Sequence, residues 1–147
     1  MNFQKHVGKY KVHNKAKYVA NLQEVVYRSS WELKYMKYLD RHPSVLEWAS
    51  ENVIIPYYNQ IEKKTRRYFV DFYVKIQNPE GEIKKYIIEV KPASQSFHER
   101  VGKSKQNQSA WVVNQAKWSA ASAWCKQKGI FFRIVTEDDI FHQGKRR

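Results

Sequence analysis

From Arg66 to Ile76 the chain reads RRYFVDFYVKI, placing Tyr68, Val70, Phe72, Val74 and Ile76 on one apolar side of an extended strand. Phe69, Asp71, Tyr73 and Lys75 take the other side. Asp71 is out of place there, because strand interiors disfavour aspartate. A second run, IKKYIIEVK (83–91), alternates in the same way, with Tyr86, Ile88 and Val90 opposed to Ile87, Glu89 and Lys91. The intervening QNPEGE carries the Asn, Pro and Gly of a tight turn, so the two runs form a hairpin. With Pro79, Glu80 and Gly81 as its loop, Asn78 faces Glu82, and Asp71 falls directly opposite Glu89. A slip of one residue would put the two carboxylates on opposite faces.

Around this hairpin the pattern is helical, then extended, then helical again. YRSSWELKYMKYLDRHP (27–43) predicts a short helix with Ser29 or Ser30 as N-cap and Pro43 beyond its end. A connector containing Val45 and Trp48 leads to NVIIPYY, read as the first strand. From Pro92 to about Gln108 the chain is polar, a loop or a helix entry. SAWVVNQAKWSAASAWCKQKG (109–129) predicts a long helix stopped by Gly129, and IFFRIVT (130–136) a last strand. The order is helix, three-strand antiparallel meander, helix, strand. That defines a mixed α/β (α+β) domain with a central mixed sheet flanked by helices. Residues 1–24 read as a basic, weakly periodic arm, partly helical or mobile, and 25–147 as one domain.

Composition narrows the partners. The 147 residues are 42% hydrophobic, enough for a folded core, and no apolar run approaches the roughly 20 residues that span a bilayer. The N-terminal stretch lacks an apolar signal region, and Cys125 is the one cysteine, so a reducing, cytosolic setting is expected. Lys and Arg outnumber Asp and Glu by 27 to 14, for a net charge of +13. Five lysines precede the first acid, Glu24; Lys63, Lys64, Arg66 and Arg67 cluster; and the chain ends in GKRR. Tyr10, Tyr18, Tyr57, Tyr58 and Tyr68 are interleaved with these cations. Phosphate neutralisation with stacking is the expected use, against an acidic protein or a membrane surface.

The candidate chemistry follows from the hairpin. Opposed carboxylates at 71 and 89 need a compensating positive charge, from Lys91 or from a divalent cation. The bland alternative pairs Asp71 with Lys75 on a solvated face. Glu32 lies between Met36 and Leu39 on the inward face of the first helix, yet Ser29-x-x-Glu32 also matches a capping box, and the pattern leaves both roles open. Lys117, interrupting an apolar stripe, and Arg28, at the first helix's start, are phosphate-binding candidates that compete with ordinary surface roles. Trp111, Trp118 and Cys125 recur every seven residues and read as core or interface. The histidines at 6, 13, 42, 98 and 142 have no metal-ligand spacing, and no glycine-rich phosphate loop suggests a nucleotide cofactor.

An acidic residue on an early helix, an aspartate in a strand and EVK at the end of the next strand resembles the PD-(D/E)xK nuclease core, here Glu32, Asp71, Glu89 and Lys91. RSSWELKYMKYLD, VDFYV, YIIEVKP and NQAKWSAASAWC resemble the head-completion nucleases of T-even-type tailed phages over nearly the whole chain. The catalytic part is also similar to the endonuclease subunit of Tn7-type transposases. Val70 stands where the motif nominally has proline, as in many members. The resemblance implies a restriction-endonuclease-like fold hydrolysing double-stranded DNA with Mg²⁺, for which Mn²⁺ can substitute. It implies Asp71, Glu89 and the Val90 carbonyl as metal ligands, with Glu32 completing the site and Lys91 orienting water or stabilising phosphate charge. Arg28, Lys117, Arg66 and Arg67 would contact DNA. Phage head or portal and neck proteins are the implied partners, in the host cytoplasm during assembly or on the virion. A partner-dependent transposon-type subunit and a non-catalytic DNA-binding head–tail protein are the alternatives.

Overall fold

The computed structural model describes residues 7–93 and 104–141. The expectations for the first six residues, the middle of the polar 92–108 stretch and the GKRR end lie outside them. In chain order the strands and helices begin with β1 (Gly8–Lys9) and β2 (Val26–Tyr27), then α1 (Ser30–Arg41), β3 (Val45–Ser50), β4 (Ile54–Asn59) and β5 (Lys64–Phe69). There follow β6 (Phe72–Gln77), β7 (Ile83–Val90), α2 (Lys105–Lys128), β8 (Phe131–Val135) and α3 (Glu137–Phe141).

Helix α1 starts where Ser29, in extended backbone, accepts the Glu32 N–H on its hydroxyl at 3.1 Å. It ends at Arg41, two residues before Pro43, and buries Trp31, Tyr35, Met36 and Leu39. Asp40, near the other end of the helix, is fully buried as well. It accepts the Tyr10 hydroxyl at 2.7 Å and the N–H groups of His13 and Asn14 at 2.8 and 3.0 Å. Burial pushes its carboxyl up, but those bonds outweigh the burial and hold it below the usual range. Tyr10, Val12 and Tyr18 pack into the core beside Trp48. The described part of the basic N-terminal stretch is therefore attached to α1 and the sheet.

The expected class holds, a mixed sheet between helices, but its strands are allotted differently. The sheet runs β3–β6–β7–β8, antiparallel except for the parallel β7–β8 pair. Its first strand is β3, the segment read as a connector. Segment 54–59, read as part of the meander, pairs with 64–69 in a separate two-stranded hairpin. Pro56 suits that location, since a strand paired on one side can turn a residue without an N–H toward its open edge. The single strand expected over 66–76 is broken into β5 and β6 at Val70 and Asp71. There the Asp71 carboxylate accepts the Val90 N–H at 2.7 Å, while its backbone carbonyl accepts the Glu51 N–H at 3.1 Å. A short acidic side chain competing for backbone partners interrupts the ladder.

The β6–β7 register is the one the turn residues predict. Phe72 pairs with Ile88 and Gln77 with Ile83, and the Asn78 N–H donates to the Glu82 carbonyl at 2.9 Å. The sheet then has two cores. On the α1 side lie Phe72, Val74, Ile88, Val90, Trp48 and Val135. On the α2 side Ile87 meets Trp118, Ala121 and Cys125, with Ile55, Tyr57, Tyr68 and Val70 from around the β4–β5 hairpin. The break at Asp71 thus sends Tyr68 and Val70 to one core and Phe72 and Val74 to the other, although all four share a parity.

Candidate active site

Asp71 sits at the entry to β6, one residue beyond the Phe72–Ile88 pair, and Glu89 and Lys91 stand at the exit of β7. Burial of Ile88 and Val90 on the α1 side turns Glu89 to the other face, where it is only 3% exposed. Its Oε1 accepts the Tyr68 hydroxyl at 2.7 Å, and its Oε2 lies 3.7 Å from Lys91 Nζ. The Lys91 backbone is fixed by donating its N–H to the Val135 carbonyl at 3.0 Å. The Val90 N–H is the group that holds Asp71. Strand end, parallel neighbour and broken strand together aim two carboxylates and an ammonium into one place.

Glu32 joins them from α1. Its Oε1 accepts the backbone N–H of Arg28 at 3.0 Å while its own N–H caps onto Ser29. The capping role left open by the sequence is therefore real, displaced by one residue from the usual box. The catalytic placement is compatible with it. Burial first, then Glu51 and Glu89, raise the Glu32 carboxyl, opposed by the Arg28 N–H. Burial, then Glu89 and Glu32, push Asp71 well above the usual carboxylate range, opposed by the Val90 N–H and Lys91. Glu32 and Asp71 thus each hold charge at a cost.

A cleft of about 400 Å³ opens on Asp71, lined also by Arg28, Glu51, Arg67, Tyr68, Phe69 and Lys117. Lys117, on α2, is half-buried and lies 5.5 and 5.7 Å from the ring centres of Tyr68 and Tyr57. Burial and then Lys91 lower its pKa, against the pull of Glu89 and Asp71. Arg67 reaches the cleft over the Phe69 ring, at 5.3 Å. Arg66 does not line it; Arg66 is paired with Glu62 on the hairpin at 2.6 and 3.0 Å. Two members escaped the sequence reading. Tyr68 reads as core by alternation, which cannot show where its hydroxyl ends. Glu51 follows a strand that was itself read as a connector, and its φ of 51° carries no local sequence signal. Trp118 and Cys125 are core residues, as their spacing suggests.

Among the described residues no three His, Cys, Asp or Glu side chains form a ready metal-ligating group. Asp71 and Glu89 are nevertheless hard oxygen donors whose mutual repulsion in a buried setting a small dication would relieve, which fits Mg²⁺ better than a softer metal.

Clustered carboxylates and a lysine beside a basic cleft are groups that phosphodiester hydrolysis can use, and the chain belongs to the TnsA-like endonuclease family. The model of the TnsA-like endonuclease N-terminal domain matches residues 42–137. Over 142 residues the chain is 34% identical to the head completion nuclease of Enterobacteria phage T4, covering 90% of this chain and 92% of that protein.

Proposed function

We propose that this chain is a divalent-metal-dependent nuclease for double-stranded DNA that acts in phage head completion, processing packaged DNA so that head and tail can join. The observation that carries the chemistry is the convergence of Asp71, Glu89 and Lys91 at the open end of the β6–β7 hairpin. The assembly role is supported by the name of the T4 relative and by identity along nearly both full lengths. Asp71, Glu89 and the Val90 carbonyl would hold Mg²⁺, or Mn²⁺ in its place, with Glu32 alongside. Such an ion, when bound, eases deprotonation of water and polarises a phosphoryl oxygen. Lys91 stabilises charge developing on the phosphate or orients the attacking water. Tyr68 fixes the rotamer of Glu89, and Arg28, Arg67 and Lys117 hold the DNA backbone. Head or portal and neck proteins would be its partners, in the host cytoplasm or on the virion.

The match to the transposase-type endonuclease domain favours a second reading, in which cleavage needs a partner protein. A purely structural role is disfavoured, since a DNA-binding module gains nothing from buried, mutually repelling carboxylates. Linear and circular duplexes incubated with Mg²⁺ test these readings. Wild type is expected to cleave, and Asp71→Ala and Lys91→Ala to lose about 10²–10³-fold or more in rate, with DNA affinity of Lys91→Ala nearly intact. No cleavage by wild type with any divalent ion supports the partner-dependent reading. Equal cleavage by Asp71→Ala removes that residue from the mechanism.

A further inference from the structure

Glu51 and Arg28 form a bidentate pair on the wall of the cleft, Nε to Oε2 at 2.7 Å and Nη2 to Oε1 at 3.1 Å. Two features tie this pair to the site. The Arg28 N–H is the donor that holds Glu32, so its backbone is indexed to the carboxylates. Glu51 is held in left-handed backbone at φ 51°, with its N–H on the Asp71 carbonyl. Non-glycine residues persist in that region where their surroundings over-determine them, which happens most often at functional sites. Of the three cations lining the cleft, Lys117 and Arg67 lie against aromatic rings, whereas Arg28 meets a carboxylate with the planar fork that also fits a phosphate. The Arg28 side chain is 57% exposed and so reachable by a ligand.

We infer that Glu51 stands in for a DNA phosphate in the free protein. It parks the Arg28 guanidinium at the cleft, and a backbone phosphate next to the scissile one exchanges for it. This rests on the nuclease reading above. A carboxylate is otherwise a poor neighbour for incoming DNA, and an exposed ion pair is cheap to break. The exchange keeps Arg28 extended across the cleft before substrate arrives, and screens the site from anions that cannot match the fork.

The test is duplex affinity in chelator, measured by anisotropy against salt, for Glu51→Gln, Arg28→Ala and the double variant. Glu51→Gln is expected to tighten binding by about two- to fivefold, the worth of an exposed pair. In the Arg28→Ala background that gain should vanish, and Arg28→Ala alone should reduce the salt slope by about 0.9, one phosphate contact. Glu51→Asn, which tolerates the left-handed backbone, should repeat the gain if glutamine perturbs folding. Weaker or unchanged binding by both Glu51 variants overturns the inference, as does a gain that persists without Arg28. Cleavage by wild type is scored separately. Cleavage with no gain in Glu51→Gln sinks the exchange and leaves the nuclease reading intact; the gain without cleavage keeps the exchange and moves cleavage to the partner-dependent reading.

Discussion

Asp71 can take on charge only at the expense of the fold. With its carboxyl pushed up by burial, Glu89 and Glu32, the folded protein binds a proton that the unfolded chain releases at lower pH. Its contribution to stability is full below the ordinary aspartate pKa and is lost as pH rises through the raised folded value. Asp71→Asn removes that loss and keeps an oxygen for the Val90 N–H. In chelator the variant should therefore be more stable than wild type at pH 7, each kcal/mol recovered adding about 2–4 °C to Tm. Toward pH 4 the advantage should shrink, and cleavage should be absent throughout. Thermal unfolding across pH checks this; a variant less stable than wild type at neutral pH would mean that the Val90 bond requires the charge. Glu89 and Lys91 were legible because parity along one strand fixes which side a charge takes. Glu51 and Tyr68 were not, because a hydroxyl's reach and a backbone φ depend on neighbours distant in sequence.

Elements were legible where their ends carry chemistry. Ser29 and Pro43 bracket α1, and Gly129, at φ 70°, ends α2 as its position in the pattern implies. Asn78 and Gly81 set the β6–β7 register, on which the opposition of Asp71 and Glu89 depends. Partner choice was less legible. Both 45–50 and 54–59 are strand-like, and only tertiary packing decides which joins the central sheet. The cap also links element to site, because the same turn that Ser29 starts carries Glu32. Ser29→Ala should cost about 1 kcal/mol in urea unfolding. It should also lower the cleavage rate of the fully folded protein, as the first turn of α1 loosens around Glu32. Loss of stability with an unchanged rate would confine Glu32 to its capping role.

At the scale of the molecule the charge of +13 was legible at once, but its geometry needed the fold. The β4–β5 hairpin leaves the cleft at Arg67 and Phe69 and carries exposed Lys63 and Lys64 at its far end. Arg66 is neutralised by Glu62 on the way. From Phe69 to Lys64 the strand takes five steps of roughly 3.3 Å, about 17 Å in all, the rise of about five base pairs. DNA cut at Asp71 should thus be gripped by Lys63 and Lys64 about five base pairs to one side. Lys63 has a φ of 58°, so asparagine is the substitution its backbone tolerates. Lys63→Asn with Lys64→Gln should weaken binding to a long duplex and reduce its salt slope by about 1.8, two phosphate contacts. On duplexes trimmed to fewer than about five base pairs on that side of the cut, the same variant should match wild type. Equal losses on long and trimmed duplexes would show the two lysines acting through net charge alone rather than as a grip at a fixed distance from the site.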